Sequence, residues 1–228
     1  MDAMECLFTR RSIRMYKRDP IPEETLKEIL AAAACAPSAV NMQHWYFVVI
    51  RTPEKMEEFR KVMREVKEKF HPVLVDRFQR HPETLQETET FFTSLGGAPV
   101  CVLAFFLKDN YPDRDGAMQS VSAALENLML AAWAKGVGSC WMSAAQRMGY
   151  SDKIRRKFAP GKGEFVAAIT LGYPAGRAAA TLSKPQRRHS VEGCIYIPGL
   201  CQKSGEHRAD DGAVPGGRLY RDRRAGGR

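Results

Sequence analysis

Between residues 53 and 70 apolar and charged positions alternate at helical spacing: Met56, Phe59, Met63, Val66 and Phe70 recur among lysines, arginines and glutamates. Such positions fall on one face of a 3.6-residue helix. A helix is therefore predicted from Thr52-Pro53, with Pro72 closing or kinking it. Residues 22–35 read the same way. Pro22 suits a first turn, Glu23 and Glu24 favour its positive end, and Leu26, Ile29, Leu30 and Ala33 make one apolar stripe that Pro37 stops. A longer helix runs from about Asp115 to Lys135, burying Met118, Val121, Leu125, Leu128, Met129 and Ala132, with Gly136 at its C-terminal cap.

Three continuous apolar runs have the length of buried strands: 45–50, 100–107 and 165–171. The first, rich in aromatic and β-branched residues, reads as a central strand. Val73–Phe78 and Thr84–Leu95 read as short helices separated by His81-Pro82, and Gly96-Gly97-Ala98-Pro99 as a breaker before the next strand. Asn110–Gly116 is a polar turn, 152–158 a short helix, and Ser190–Ile197 a last strand. Beyond Pro198 the hydrophobic period is lost. The expectation is one domain over 1–198 and a disordered basic tail over 199–228.

Composition narrows the classes. Of 228 residues, 44% are hydrophobic and 27% charged, as in a soluble globular protein. No apolar run approaches the roughly 20 residues of a membrane helix. The N-terminus, with Asp2, Glu5, Arg10 and Arg11, lacks the apolar centre of a signal peptide, so the expected address is the cytosol. The cysteines (Cys6, Cys35, Cys101, Cys140, Cys194, Cys201) form no CxxC pair and read as buried free thiols. The five histidines show no ligand spacing, so no metal is expected. A net charge of +9 could serve nucleic acid, but the basic residues are spread along the chain and interleave with glutamates, as in Glu54–Lys69. Phosphate-bearing small molecules account for the surplus equally well, and nucleic acid is the weaker reading.

Four segments carry candidate chemistry. Arg10-Arg11-Ser12-Ile13-Arg14 offers guanidinium forks and a hydroxyl suited to phosphate; a solvent-facing basic turn has the same composition. Pro37-Ser38, followed by Asn41 and Gln43, lies between a helix and a buried strand, where small and amide residues let backbone approach a flat ligand or simply end a helix. Gly136-Val137-Gly138-Ser139-Cys140-Trp141-Met142-Ser143 lacks the third glycine of a dinucleotide fingerprint and follows a helix instead of a strand. It reads as a loop able to pass over a ring, with Trp141 either against that ring or in the core. Lys184-Pro185-Gln186-Arg187-Arg188 is a second basic cluster, either a surface charge run or part of an anion site.

In this order and spacing, together with Ala124-Leu125-Glu126-Asn127-Leu128 on the long helix, the four segments resemble the FMN-dependent nitroreductase family over roughly residues 5–197. The resemblance implies an α+β, three-layer α-β-α sandwich with a mixed, mostly antiparallel sheet, in an intertwined homodimer with FMN at the interface. It implies that Arg10, Ser12 and Arg14 hold the phosphate, ribityl chain and pyrimidine edge of FMN, with Arg11 joining the phosphate contacts. Pro37, Ser38, Asn41 and Gln43 would line the isoalloxazine, from the partner subunit. Trp141, Met142 and Ser143 would lie along the other face or edge, and Arg187 or Arg188 would close over the phosphate. The implied chemistry is ping-pong electron transfer from NADH or NADPH to a small oxidised acceptor, such as a nitroaromatic or quinone, without a dedicated catalytic acid or base. His44-Trp45 follows Gln43 where the family often has a proline, which puts the turn there in question. Two other readings stand beside this one: related flavin chemistry such as reductive dehalogenation, and a non-catalytic basic protein that binds a polyanion.

Overall fold

The structure, a computed structural model, describes residues 1–107, 113–176, 189–191 and 194–196. Asp2 accepts the Glu5 amide and caps a first helix, α1 (Ala3–Thr9), which the apolar pattern does not announce. Next come α2 (Glu23–Ala34), a 3₁₀ turn (Ala39–Asn41) and strand β1 (Trp45–Ile50). Thr52 then caps α3 (Pro53–Arg77), which leads to α4 (Pro82–Ser94) and β2 (Val100–Phe106). The order continues α5 (Arg114–Ala134), β3 (Gly138–Met142), α6 (Ala144–Arg147), α7 (Ser151–Phe158) and β4 (Glu164–Gly172). The backbone divides into two compact units, Met1–Ala179 and Ala180–Arg228. In the second, β5 (His189–Val191) pairs antiparallel with β6 (Cys194–Tyr196). The stretch 190–197, expected as one strand, therefore contributes to two.

In the first unit the sheet order is β1-β2-β4-β3, and all three ladders are antiparallel. Among the described residues, the one parallel link is an isolated bridge between Ser12 and Ser139. Side chains alternate across β2. Cys101, Leu103 and Phe105 join a core with α3, α4, α6 and α7. Val102, Ala104 and Phe106 face α2 and α5 instead. At the register shift beside Ala104/Phe105, β4 carries one extra residue, so Val166 and Ala167 both turn to the α2/α5 side. A helix–sheet–helix sandwich with two cores results, which is why β2 is buried at every position.

Three expectations change. β1 lies at an edge of the described sheet and is only half-buried. Its apolar run reflects helices on both faces, Tyr46 and Val48 packing on one core and Trp45, Phe47 and Val49 on the other. Pro72 neither closes α3 nor separates Val73–Phe78 from it. The stripe Val66, Phe70, Leu74 stays buried across the proline, and that packing outweighs one missing hydrogen bond. Residues 138–142, read as a loop, form the edge strand β3.

Candidate active site

Residues 10–17 leave α1, meet the outer side of β3 at Ser12–Ile13 and pass on to Gly96 and residues 173–175. Arg11 turns back to cap α1, its Nη1 donating to the carbonyls of Phe8 at 2.9 Å and Arg10 at 2.8 Å. Ile13 N–H donates to the Ser139 carbonyl at 2.8 Å. Gly138 makes this approach possible, since a Cβ there would sit 2.7 Å from Ile13 Cγ1. Farther along, Tyr16 N–H donates to Gly96 O, Lys17 N–H to Tyr173 O, and the Met15 carbonyl accepts from Ala175.

This path gathers positive charge at one place. Arg10 Nε lies 3.5 Å from Glu126 on α5. Burial pushes the Cys140 thiol pKa up, and the nearby Arg14 and Arg10 guanidiniums oppose that rise, Arg14 also by a hydrogen bond. Ser12 and Arg14 are exposed, whereas Arg10 and Arg11 are half-buried. At this place Arg11 Nε and Ser139 Oγ are buried and find no hydrogen-bond partner among the described residues. Each such atom costs about 1–3 kcal/mol, so acceptor oxygens from a ligand would be favoured there. On β3, Trp141 is half-buried against the α2/α5 core and Met142 is buried on the opposite face. Ser143, half-buried, begins α6. The structure thus joins Arg10, Arg11, Ser12 and Arg14 to the strand that leads into Trp141–Ser143.

It does not bring the second segment there. Ser38 Oγ accepts the Gln43 amide at 3.0 Å, and the Ala39 amide donates to Ser120 Oγ on α5 at 2.9 Å. Three residues of the loop hold positive φ: Val40 at 43°, Asn41 at 57° and Gln43 at 51°. For a β-branched valine this is a strained conformation. Pro37, Asn41 and Gln43 are exposed and Ser38 half-buried, with Val40 71% accessible. Ser120 and Glu126 are six residues apart on α5, a rise of about 9 Å. Among the described residues, no hydrogen bond or ion pair joins 37–43 to 10–14. Arg187 and Arg188 lie outside the described residues.

Sequence reasoning missed Tyr16, Gly96 and Thr170. Gly96, read as a breaker, has φ +64°, and a Cβ there would lie 2.1 Å from the Arg14 carbonyl oxygen. A surface cavity of about 470 Å³, lined by Arg155, Lys162 and Glu164, sits at the Glu164 end of β4, away from the Gly172 end that meets Gly138. Its charges include two ion pairs, Arg155 with Asp152 and Glu164 with Arg114.

The sequence model of the Nitroreductase family matches residues 7–173. A protein of Methanothermobacter thermautotrophicus named "Putative NADH dehydrogenase/NAD(P)H nitroreductase" is 31% identical over 191 residues, covering 83% of this chain and 86% of its own. The 5,6-dimethylbenzimidazole synthase of Rhodospirillum rubrum is 29% identical over 193 residues, covering 76% and 82%. The crystal structure of a nitroreductase with bound FMN from Bacteroides fragilis superposes with a TM-score of 0.59 at 24% identity, over 82% of this chain and all of that one.

Proposed function

The chain belongs to the nitroreductase family, and from that premise we propose that it passes electrons from NADH or NADPH to a small oxidised acceptor, with FMN held along the arginine segment and β3. The observation that carries this reading is the meeting of Arg10, Arg11, Ser12 and Arg14 with the edge of β3, where the buried Arg11 Nε and Ser139 Oγ lack partners among the described residues. Those residues fit the group. Arg10 and Arg11 supply cations for a phosphate, and the unpaired Arg11 Nε and Ser139 Oγ accept new partners without losing old ones. Ser12 serves the ribityl chain. Arg14 holds positive charge at the pyrimidine edge, where it stabilises negative charge on the reduced ring. Trp141, Met142 and Ser143 border the ring from β3, Met142 through its backbone because its side chain is buried. Held there, FMN would supply the redox chemistry that links nicotinamide to acceptor. Donor and acceptor use one pocket in turn, a ping-pong scheme.

The second half of the site comes from another copy of the chain in this reading. Pro37, Ser38, Asn41 and Gln43 sit on an exposed loop that one chain leaves apart from its own arginines. Met4, Leu7 and Phe8 on α1 are 57%, 54% and 68% exposed at i, i+3 and i+4, an apolar face that a homodimer would cover. The address is the cytosol; no described helix is long and apolar enough to cross a membrane. The likeness to 5,6-dimethylbenzimidazole synthase supports a second reading, related flavin chemistry with a distinct product. Anaerobic stopped-flow mixing of the FMN-loaded protein with NADH and with NADPH separates the two. Rapid bleaching by one of them, reversed by a nitroaromatic or quinone, supports oxidoreduction. Bleaching by neither, with a new product in the mass spectrum, favours the second.

A further inference from the structure

Arg14 is exposed, yet both peptide groups beside it are fixed. On its N-terminal side, the Tyr16 hydroxyl donates to the carbonyl of Ile13, the peptide that carries the Arg14 amide, at 2.5 Å. On its C-terminal side, the Arg14 carbonyl lies against Gly96, where no side chain fits. The Tyr16 hydroxyl is held in turn. Thr170 Oγ1 on β4 stands 2.8 Å away, and Thr170 also reaches the Cys140 carbonyl on β3 at 3.4 Å. The proton count orders this chain. Tyr16 has one proton and gives it to Ile13 O, so Thr170 donates its single proton to the nearer phenol oxygen, the Cys140 carbonyl being a longer, shared acceptor of that proton. Tyr16 is 6% exposed and Thr170 fully buried. Burial raises the phenol pKa well above its ordinary value, so the hydroxyl remains a donor at every working pH.

We propose that Tyr16, oriented by Thr170, is a positioning residue that fixes the backbone on which Arg14 presents its guanidinium to the flavin's pyrimidine edge. This rests on the assignment of Arg14 to that edge. Removing the hydroxyl leaves the ring in place against Gly172 but frees the Ile13–Arg14 peptide. Arg14 then samples other directions, and the ligand must order it on binding.

The test titrates FMN into flavin-depleted full-length chain, following quenching of flavin fluorescence, for Tyr16→Phe, Arg14→Ala and the double variant. The expected result is about a tenfold loss of FMN affinity for Tyr16→Phe, near 1.4 kcal/mol, and no further loss when it is added to Arg14→Ala. The midpoint potential of FMN bound to Tyr16→Phe should fall, because charge on the reduced ring is less well compensated. Thr170→Val should reproduce both effects and Thr170→Ser restore them, which keeps the test valid if Tyr16→Phe folds poorly. Additive losses in the double variant, or an unchanged potential, would overturn the proposal. Normal FMN binding by Arg14→Ala would overturn the Arg14 assignment itself, and the proposal with it.

Discussion

Gly96 stands where two chemical demands meet. Its backbone is left-handed, and its missing Cβ leaves room for the Arg14 carbonyl oxygen. Gly96→Ala imposes both the strained φ and a clash with backbone, which cannot swing aside as a side chain tip can. The expected cost is about 2–4 kcal/mol, read as a lower urea midpoint with unchanged slope, together with weaker FMN binding. An unchanged midpoint would show that the 10–17 segment yields easily. In sequence, Gly96-Gly97 carried only the signal of a chain break; what the glycine accommodates comes from residues some eighty positions earlier. The same holds for Tyr16, whose partner Thr170 is 154 residues away. The thiols were partly legible. Cys6, Cys101 and Cys140 are buried as expected, but Cys35 is exposed beyond the end of α2. Burial raises the Cys101 pKa far above the ordinary thiol value, so this sheet cysteine is kept as an inert thiol.

At the scale of elements, legibility followed the strength of a single period. Helices α2 and α5 and strands β2 and β4 present one dominant pattern each, and their positions agree with it to within a residue or two. β3 does not. Gly138-Ser139-Cys140 lacks the β-branched residues that mark strands, and its conformation is imposed by β4 on one side and the Ser12–Ile13 segment on the other. α1 was hidden for a different reason: its apolar residues Met4, Leu7 and Phe8 face away from its own chain's cores. If that face is the homodimer contact, Leu7→Glu with Phe8→Glu should convert a dimer of about twice 25.6 kDa to a single chain in sedimentation velocity. It should also weaken FMN binding, since the 37–43 loop of the second copy is lost. A native protein that sediments as one chain would remove the partner from the account.

Over Met1–Ala179, the arrangement is an antiparallel sheet with a helical layer and a core on each face, and the proposed binding edge is β3. The α2/α5 layer provides Glu126 for Arg10 and Ser120 for the strained loop, so one long helix sets the places of both segments. The sheet provides Ser139 and Thr170. Order and spacing of the four segments made the family legible, whereas the meeting of the arginine segment with β3, and the hold of Ser120 on the 37–43 loop, needed the coordinates. The most direct measurement of the central claim is the visible spectrum of the purified protein, with the chromophore released and identified. The expected result is yellow protein with flavin absorption bands and about one FMN released per chain. Colourless protein that takes up no added FMN would contradict it and return the arginine segment to basic surface.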